Sequence, residues 1–108
     1  TKGVEYPELT PVLQAILEAV PAQKVILFGS RARGNARPES DYDLLVVVPE
    51  GVDKVAALRK VYLALASLQK GFAVDVVVAH PKDLERYRKA WMTPYPDALK
   101  EGKVLYAA

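Results

Sequence analysis

The chain has 108 residues, of which 51% are hydrophobic and 26% are charged, which is typical of one domain with one modest core over residues 1–108. No apolar run approaches the roughly 20 residues of a membrane helix, no signal peptide pattern is present, and the absence of cysteine excludes disulfides and thiolate metal sites, so we expect a cytoplasmic protein. The formal net charge of +2 is too small to indicate nucleic-acid binding, so neither a membrane nor a nucleic acid is an expected partner.

The first predicted element is an amphipathic helix that begins at Thr10-Pro11 and ends before Pro21. Threonine is a favourable N-cap, and proline is tolerated at the first helical position. The apolar residues recur at the spacing of one helix face: Leu13, Ile16, Leu17 and Val20. The β-branched run from Lys24 to Phe28 then predicts a buried strand that ends at Gly29.

The middle of the chain predicts a polar loop over residues 30–40, a strand from Tyr42 to Val48, and a long helix over residues 53–70. Gly71 stands where a C-terminal cap of that helix is expected. The helix has apolar residues at steps of three and four: Val55, Leu58, Val61, Leu65 and Leu68.

The last third predicts a strand from Phe72 to Ala79, a helix from Pro81 to about Ala90, and a short edge strand over Val104 to Tyr106. Within that helix and beyond it, Leu84, Tyr87 and Trp91 form a stripe that we interpret as core packing, with a partner surface as the alternative for the tryptophan. His80, which ends a strand before a proline, is interpreted as structural rather than catalytic.

Alternating helices and strands predict an α/β (α+β) fold, a small mixed β-sheet with helices packed on it. The second and third strands are joined by a long helix, so they should run parallel through a right-handed crossover. The direction of the first strand relative to the second stays open.

Polar residues that could bind a ligand or take part in catalysis follow or begin these strands. Gly29-Ser30 comes directly after the first strand, where glycine permits close backbone approach to a ligand and serine offers a hydroxyl. Taken alone, such a pair is usually only a turn. Arg31 and Arg33 follow, and arginine suits bidentate contacts to an anion. Residues two apart on a helix point to different faces, so only one of them would reach a ligand held there, and Arg33 is favoured.

Three aspartates form the second part of the pattern. Asp41 and Asp43 are two residues apart at the start of a strand, so they share a face and can converge on a pair of hard cations. Asp75 is the only charged residue in the apolar run of the third strand. A buried carboxylate requires a cation, which is either a nearby lysine or arginine or a metal ion. If the second and third strands are neighbours, Asp75 completes a three-carboxylate site.

The spacing of Gly29-Ser30, Asp41-x-Asp43 and a third aspartate on the next strand resembles the motif of the DNA polymerase β-like nucleotidyltransferase superfamily. The motif core over residues 25–48 is similar to that of the minimal nucleotidyltransferase (MNT) branch, with the string GSRARGNARPESDYDLLVVV. The resemblance covers the element order of essentially the whole chain. It implies the polymerase β-like nucleotidyltransferase fold and transfer of a nucleoside monophosphate, AMP from ATP, onto a hydroxyl group.

The resemblance also implies residue roles. Asp41 and Asp43 would hold two Mg²⁺ ions with the triphosphate, and Asp75 would bind the catalytic ion and help to deprotonate the attacking hydroxyl. Gly29 and Ser30 would hold the β- and γ-phosphates.

The acceptor is expected outside this chain, on a partner or on a second protomer in a homo-oligomer. MNT proteins typically pair with a small helical HEPN protein, so the implied role is that of an antitoxin that adenylylates a tyrosine of a HEPN toxin. The alternative is a non-catalytic binding module that masks a HEPN-type partner sterically. A nucleic-acid-binding accessory domain is a third, weaker reading. The three retained aspartates favour catalysis.

Overall fold

The computed structural model describes residues 6–29, 41–68, 71–87 and 102–108, which contain four strands and three α-helices. A 3₁₀ turn at Pro7–Leu9 leads into the first helix. The strands are β1 (Lys24–Phe28), β2 (Tyr42–Val47), β3 (Val74–Ala79) and β4 (Lys103–Ala107). The helices are α1 (Thr10–Ala19), α2 (Lys54–Ala66) and α3 (Pro81–Tyr87).

The four strands form one mixed sheet in the order β3-β2-β1-β4. The predicted parallel pairing of β2 with β3 is confirmed, and the predicted β4 forms an edge strand beside β1. The sequence left open the direction of β1 relative to β2, and the structure shows that the two strands run antiparallel. The expected α+β class with a mixed sheet is therefore confirmed.

The side chains of β2 point alternately to the two faces of the sheet, and each face packs against a different apolar cluster. Tyr42, Leu44 and Val46 belong to the main core, which β2 shares with α1 and α2. Leu45 and Val47 point the other way, into a smaller cluster that Leu84 of α3 partly covers. Because residues i and i+2 share a face of a strand, Asp43 lies on this second side, away from α1 and α2.

The start of α1 differs from the prediction. Thr10 is the first helical residue rather than the N-cap, and Leu9 occupies the cap position without a side-chain hydrogen bond. The reason is the 3₁₀ turn at Pro7–Leu9, which already brings the chain into helical geometry before the threonine. Val12, which the stripe omitted, is buried beside Leu13.

The predicted core face and end of α2 were wrong in part. Val55 is 65% exposed, whereas Ala57 is buried with Val61 and Leu65. Residues at positions i and i+2 of an α-helix point about 200° apart around its axis, so Val55 and Ala57 cannot share a face. The helix ends at Ala66 with Ser67 as its C-cap, so Gly71 caps nothing.

Smaller differences concern the last third of the chain. β3 begins at Val74 rather than Phe72, and α3 is described as far as Tyr87. Trp91 and the side chain of Tyr87 lie outside the described part, so the proposed stripe stays a prediction. Within that described part, no helix has the length and apolar character needed to cross a membrane.

Candidate active site

Three strand ends meet at one edge of the sheet. Parallel pairing aligns the starts of β2 and β3, with Asp43 directly beside Asp75. Antiparallel pairing brings the end of β1 to the same edge, where Phe28 lies beside Asp43 and Gly29 follows. Neighbouring strands are about 4.8 Å apart, so the two paired aspartates are adjacent.

The predicted aspartates share one face of the sheet. Asp41 precedes β2, and its carboxylate lies where the protonated carboxyl of Asp75 can donate a hydrogen bond to it. Asp43 and Asp75 occupy paired positions and therefore project to the same side. The structure thus places Asp75 beside both Asp43 and Asp41 at one end of the sheet, but the three carboxylates do not form the three-ligand metal cluster that the sequence predicted among the described residues.

Gly29 makes the room that Asp43 occupies. Its φ angle is +78°, in the left-handed region that glycine adopts without strain. A Cβ atom on residue 29 would lie 2.3 Å from Oδ2 of Asp43. The sequence predicted that Gly29 permits close approach to a ligand, and the structure adds that it permits close approach of a carboxylate.

The electrostatic environment of Asp75 disfavours its charge. Partial desolvation raises the pKa of its carboxyl, and the negative charge and hydrogen bond of Asp41 raise that pKa further. The expectation that Asp75 is buried was wrong, since its side chain is exposed and the described residues include no buried polar side chain. β3 is an edge strand, which explains why the polar residue near its start reaches solvent.

The donor set suits a hard divalent cation. All three side chains offer carboxylate oxygens, the ligands that Mg²⁺ prefers. Among the described residues, no three acidic or histidine side chains are arranged to hold a metal ion by themselves. Mg²⁺ rarely uses an all-protein cage, because one or two carboxylates with water and phosphate oxygens complete its octahedron. The aspartates therefore fit a metal that arrives with a triphosphate.

Several predicted site residues lie outside the described part of the chain, which resumes at Asp41 after Gly29. They include the two other proposed nucleotide-binding residues, Ser30 and Arg33, together with Arg31. Their roles stay predictions.

His80 agrees with its structural interpretation. It follows the far end of β3, at the edge of the sheet opposite the aspartates. Its Nε2 atom lies 2.6 Å from the carbonyl oxygen of Val52, and its backbone N–H donates to Asp83 at 2.9 Å. The imidazole therefore joins the β3–α3 turn to the loop before α2.

One residue of the site region escaped the sequence reasoning. The Tyr42 hydroxyl donates a hydrogen bond to Glu8 Oε2 at 2.5 Å, across 34 residues of sequence. No periodicity relates these positions. The available signal was chemical: a tyrosine at the start of an apolar strand needs a partner for its hydroxyl once it is buried.

Comparison with known proteins agrees with this geometry. A family model described as a nucleotidyltransferase domain matches residues 10–103. A Methanocaldococcus jannaschii protein named as a protein adenylyltransferase is 36% identical over 84 residues, which are 78% of each chain.

Two solved structures share the fold. A Sulfolobus solfataricus protein named as a nucleotidyltransferase superposes with a TM-score of 0.65 at 19% identity, over 94% of this chain and 78% of that one. A chain from a Shewanella oneidensis complex between a tri-AMPylated HEPN toxin and an MNT antitoxin has a TM-score of 0.53 at 18% identity, over 97% and 74%. The family match, the M. jannaschii relative and the shared fold confirm the resemblance seen in residues 25–48, and the chain belongs to the nucleotidyltransferase family.

Proposed function

We propose that this chain transfers AMP from ATP, with Mg²⁺, to a tyrosine hydroxyl of a small helical HEPN-family protein. The observation that carries the proposal is the register of Asp43 with Asp75, at an edge where Gly29 leaves space for a carboxylate. The name of the M. jannaschii relative and the AMPylated toxin in the S. oneidensis complex support AMP as the transferred group and a HEPN protein as the acceptor.

Each aspartate has a distinct task in this proposal. Asp41 and Asp43 would hold the ions that accompany the triphosphate, and Asp75 would share the second ion and receive the proton of the attacking hydroxyl. When bound, Mg²⁺ supplies positive charge that offsets charge developing around the α-phosphate.

The remaining site residues orient the nucleotide. Gly29 has no side chain, so its backbone can approach a phosphate closely, while Ser30 and Arg33 would add contacts to the β- and γ-phosphates. The acceptor oxygen forms a bond to the α-phosphorus, the α–β anhydride bond breaks, and pyrophosphate leaves. Holding the reactants in line accounts for much of the acceleration in such transfers.

The acceptor hydroxyl comes from another molecule in this scheme. We infer that residues 1–108 form a single nucleotide-binding domain and that the HEPN partner supplies the acceptor. A second protomer is the other source, and labelling each protein separately distinguishes the two.

The test combines this chain with a purified HEPN-family protein, Mg²⁺, and ATP labelled at either the α- or the γ-phosphate. We expect label on the partner from α-labelled ATP alone, at a tyrosine identified by peptide mass spectrometry. Asp43→Asn should lower the rate by on the order of 100-fold or more, the scale of losing one preorganised electrostatic contact.

The matched control is Glu18→Gln, which makes the same chemical change on the exposed surface of α1, on the other side of the sheet. It should transfer AMP at the wild-type rate. If Asp43→Asn transfers as fast as wild type, or if no label appears with any protein, catalysis is refuted. Continued inhibition of the partner without label would then favour steric masking.

A further inference from the structure

The residue between Asp41 and Asp43 is anchored on the far side of the sheet. Tyr42 is only 4% exposed and lies in the main core. Its hydroxyl donates to Glu8 in the 3₁₀ turn before α1, at 2.5 Å. A hydrogen bond to a charged acceptor is among the stronger kinds, so it ties the start of β2 to the turn that precedes α1.

The same tyrosine contacts the segment that leads into β3. Its ring meets Phe72 edge to face, with centroids 4.8 Å apart and planes at 60°. Its backbone N–H donates to the carbonyl oxygen of Ala73 at 3.0 Å. Phe72 and Ala73 immediately precede β3, whose second residue is Asp75. Tyr42 therefore joins the two strand ends that carry the aspartates.

These contacts oppose a force that acts on the other face. Asp41, Asp43 and Asp75 carry like charges at one sheet edge, and such charges destabilise one another when they are close. Strand ends open more easily than strand centres. Because Tyr42 is covalently joined to Asp41 and Asp43, its contacts hold the backbone of both aspartates in place. Its side chain lies on the opposite face of the sheet, so it adds no group to the face that carries the carboxylates.

We propose that Tyr42 is a positioning residue which, held by Glu8 and Phe72, sets the separation of Asp41 and Asp43 from Asp75 for metal binding. The inference deepens the proposed function and rests on it. Tyr42 touches neither nucleotide nor metal, so its effect passes through the geometry of the carboxylates. Removing a residue that holds a metal ligand in place without touching the metal typically lowers metal affinity or activity by 10- to 100-fold.

The test compares variants of the full chain that remove one atom group each. Tyr42→Phe removes the hydroxyl and keeps the ring against Phe72. Glu8→Ala removes the acceptor, and Glu8→Gln restores an uncharged one. The control is Tyr106→Phe, which removes a phenol hydroxyl from β4, an edge strand that carries none of the aspartates.

Three quantities are measured for each variant: the Kd for Mn²⁺ in the presence of α,β-methylene-ATP by electron paramagnetic resonance, the rate of AMP transfer, and the Tm. We expect Tyr42→Phe and Glu8→Ala each to raise the Mn²⁺ Kd about tenfold and to slow transfer similarly. Glu8→Gln should recover most of both losses, and Tyr106→Phe should match wild type. The double variant Tyr42→Phe/Glu8→Ala should lose no more than either single variant, because both remove one interaction.

The outcomes separate the two proposals. If wild type binds Mn²⁺ but Tyr42→Phe binds it equally well, the positioning role is refuted and the proposed function stands. A lower Tm with an unchanged Mn²⁺ Kd also refutes it, since that is the result of a purely structural contact. If wild type neither binds Mn²⁺ nor transfers AMP, the proposed function fails and this inference fails with it.

Discussion

Gly29 offers the sharpest test of the site geometry, because one added methyl group has two separable effects. Alanine at this position must adopt a φ angle of +78°, and its Cβ atom would lie 2.3 Å from Oδ2 of Asp43. The first effect concerns the backbone alone. The second acts on a carboxylate that we assign to metal binding.

The expected loss of stability follows from these two effects. Left-handed backbone costs a non-glycine residue about 1–2 kcal/mol. Moving the Asp43 carboxylate away from the new methyl group forces a less favourable rotamer, at about 0.5–1.5 kcal/mol. Gly29→Ala should therefore lower the free energy of unfolding by roughly 2–3 kcal/mol. For a domain of this size the Tm should fall by roughly 10–20 °C.

The assay is urea unfolding of a double-mutant cycle with Asp43→Ala. In the Asp43→Ala background the steric conflict is absent, so Gly29→Ala should cost only the backbone part, about 1–2 kcal/mol. Gly51→Ala is the control, since a Cβ there meets nothing within 4 Å and its φ is not positive. Equal losses for Gly29→Ala in both backgrounds would refute the close contact with Asp43, and a loss no larger than that of Gly51→Ala would refute the backbone strain.

Two carboxylates should respond to the same substitution with opposite signs. Desolvation and Asp41 raise the pKa of Asp75 in the folded state, so folding favours its protonated form. Its contribution to the free energy of unfolding is therefore fully present below the ordinary aspartate pKa of about 3.9 and is lost as pH rises through the higher folded value. Metal-free Asp75→Asn should therefore have a higher urea midpoint than wild type at pH 7, and a gap that does not close near pH 4 would contradict this. Asp83 is the reverse case. Desolvation opposes its charge, but the backbone N–H of His80 and the charge of Lys54 outweigh the desolvation and lower the pKa of Asp83. Its contribution to the free energy of unfolding is therefore present above a pH of about 3.9 and is lost as pH falls through the lower folded pKa. Asp83→Asn should cost about 1 kcal/mol at neutral pH, a modest figure because Lys54 is 40% exposed and water screens the pair; an unchanged urea midpoint would count against it.

Local patterns predicted the elements well and their ends poorly. The apolar run at Tyr42 to Val48 could be read as a central strand because both of its faces are covered, as the structure shows. The sequence predicts α2 as far as residue 70 because Leu68 continues the apolar spacing. Leu68 does pack against the core, but from beyond the end of the helix at Ala66. Hydrophobic spacing reports which residues are covered and not whether the backbone between them is helical.

The candidate site was predictable as far as it depends on neighbours in sequence. Alternation alone places Asp41 and Asp43 on one face, and the helical crossover places Asp75 on the adjacent strand. The contact between Gly29 and Asp43 depends on the antiparallel register of β1 with β2. Residues 30–40 separate these strands in sequence, and the sequence left the relative direction of the two strands undecided. A contact that depends on pairing across an ambiguous loop cannot be derived from either segment alone.

The division of β2 into two chemically different faces explains why the acidic edge can exist in so small a sheet. On one side, Leu44 and Val46 bury their side chains against α1 and α2, which keeps the strand central and paired on both edges. On the other, Asp43 lies where the strand begins and where solvent can reach its carboxylate. Tyr42 belongs to the first side, but its hydroxyl, ring and backbone N–H contact Glu8 and the segment before β3, so it joins the starts of the two strands beside which the aspartates lie. Stability and metal binding should therefore respond separately to changes at Val46, which is remote from this edge, and together to changes at Tyr42.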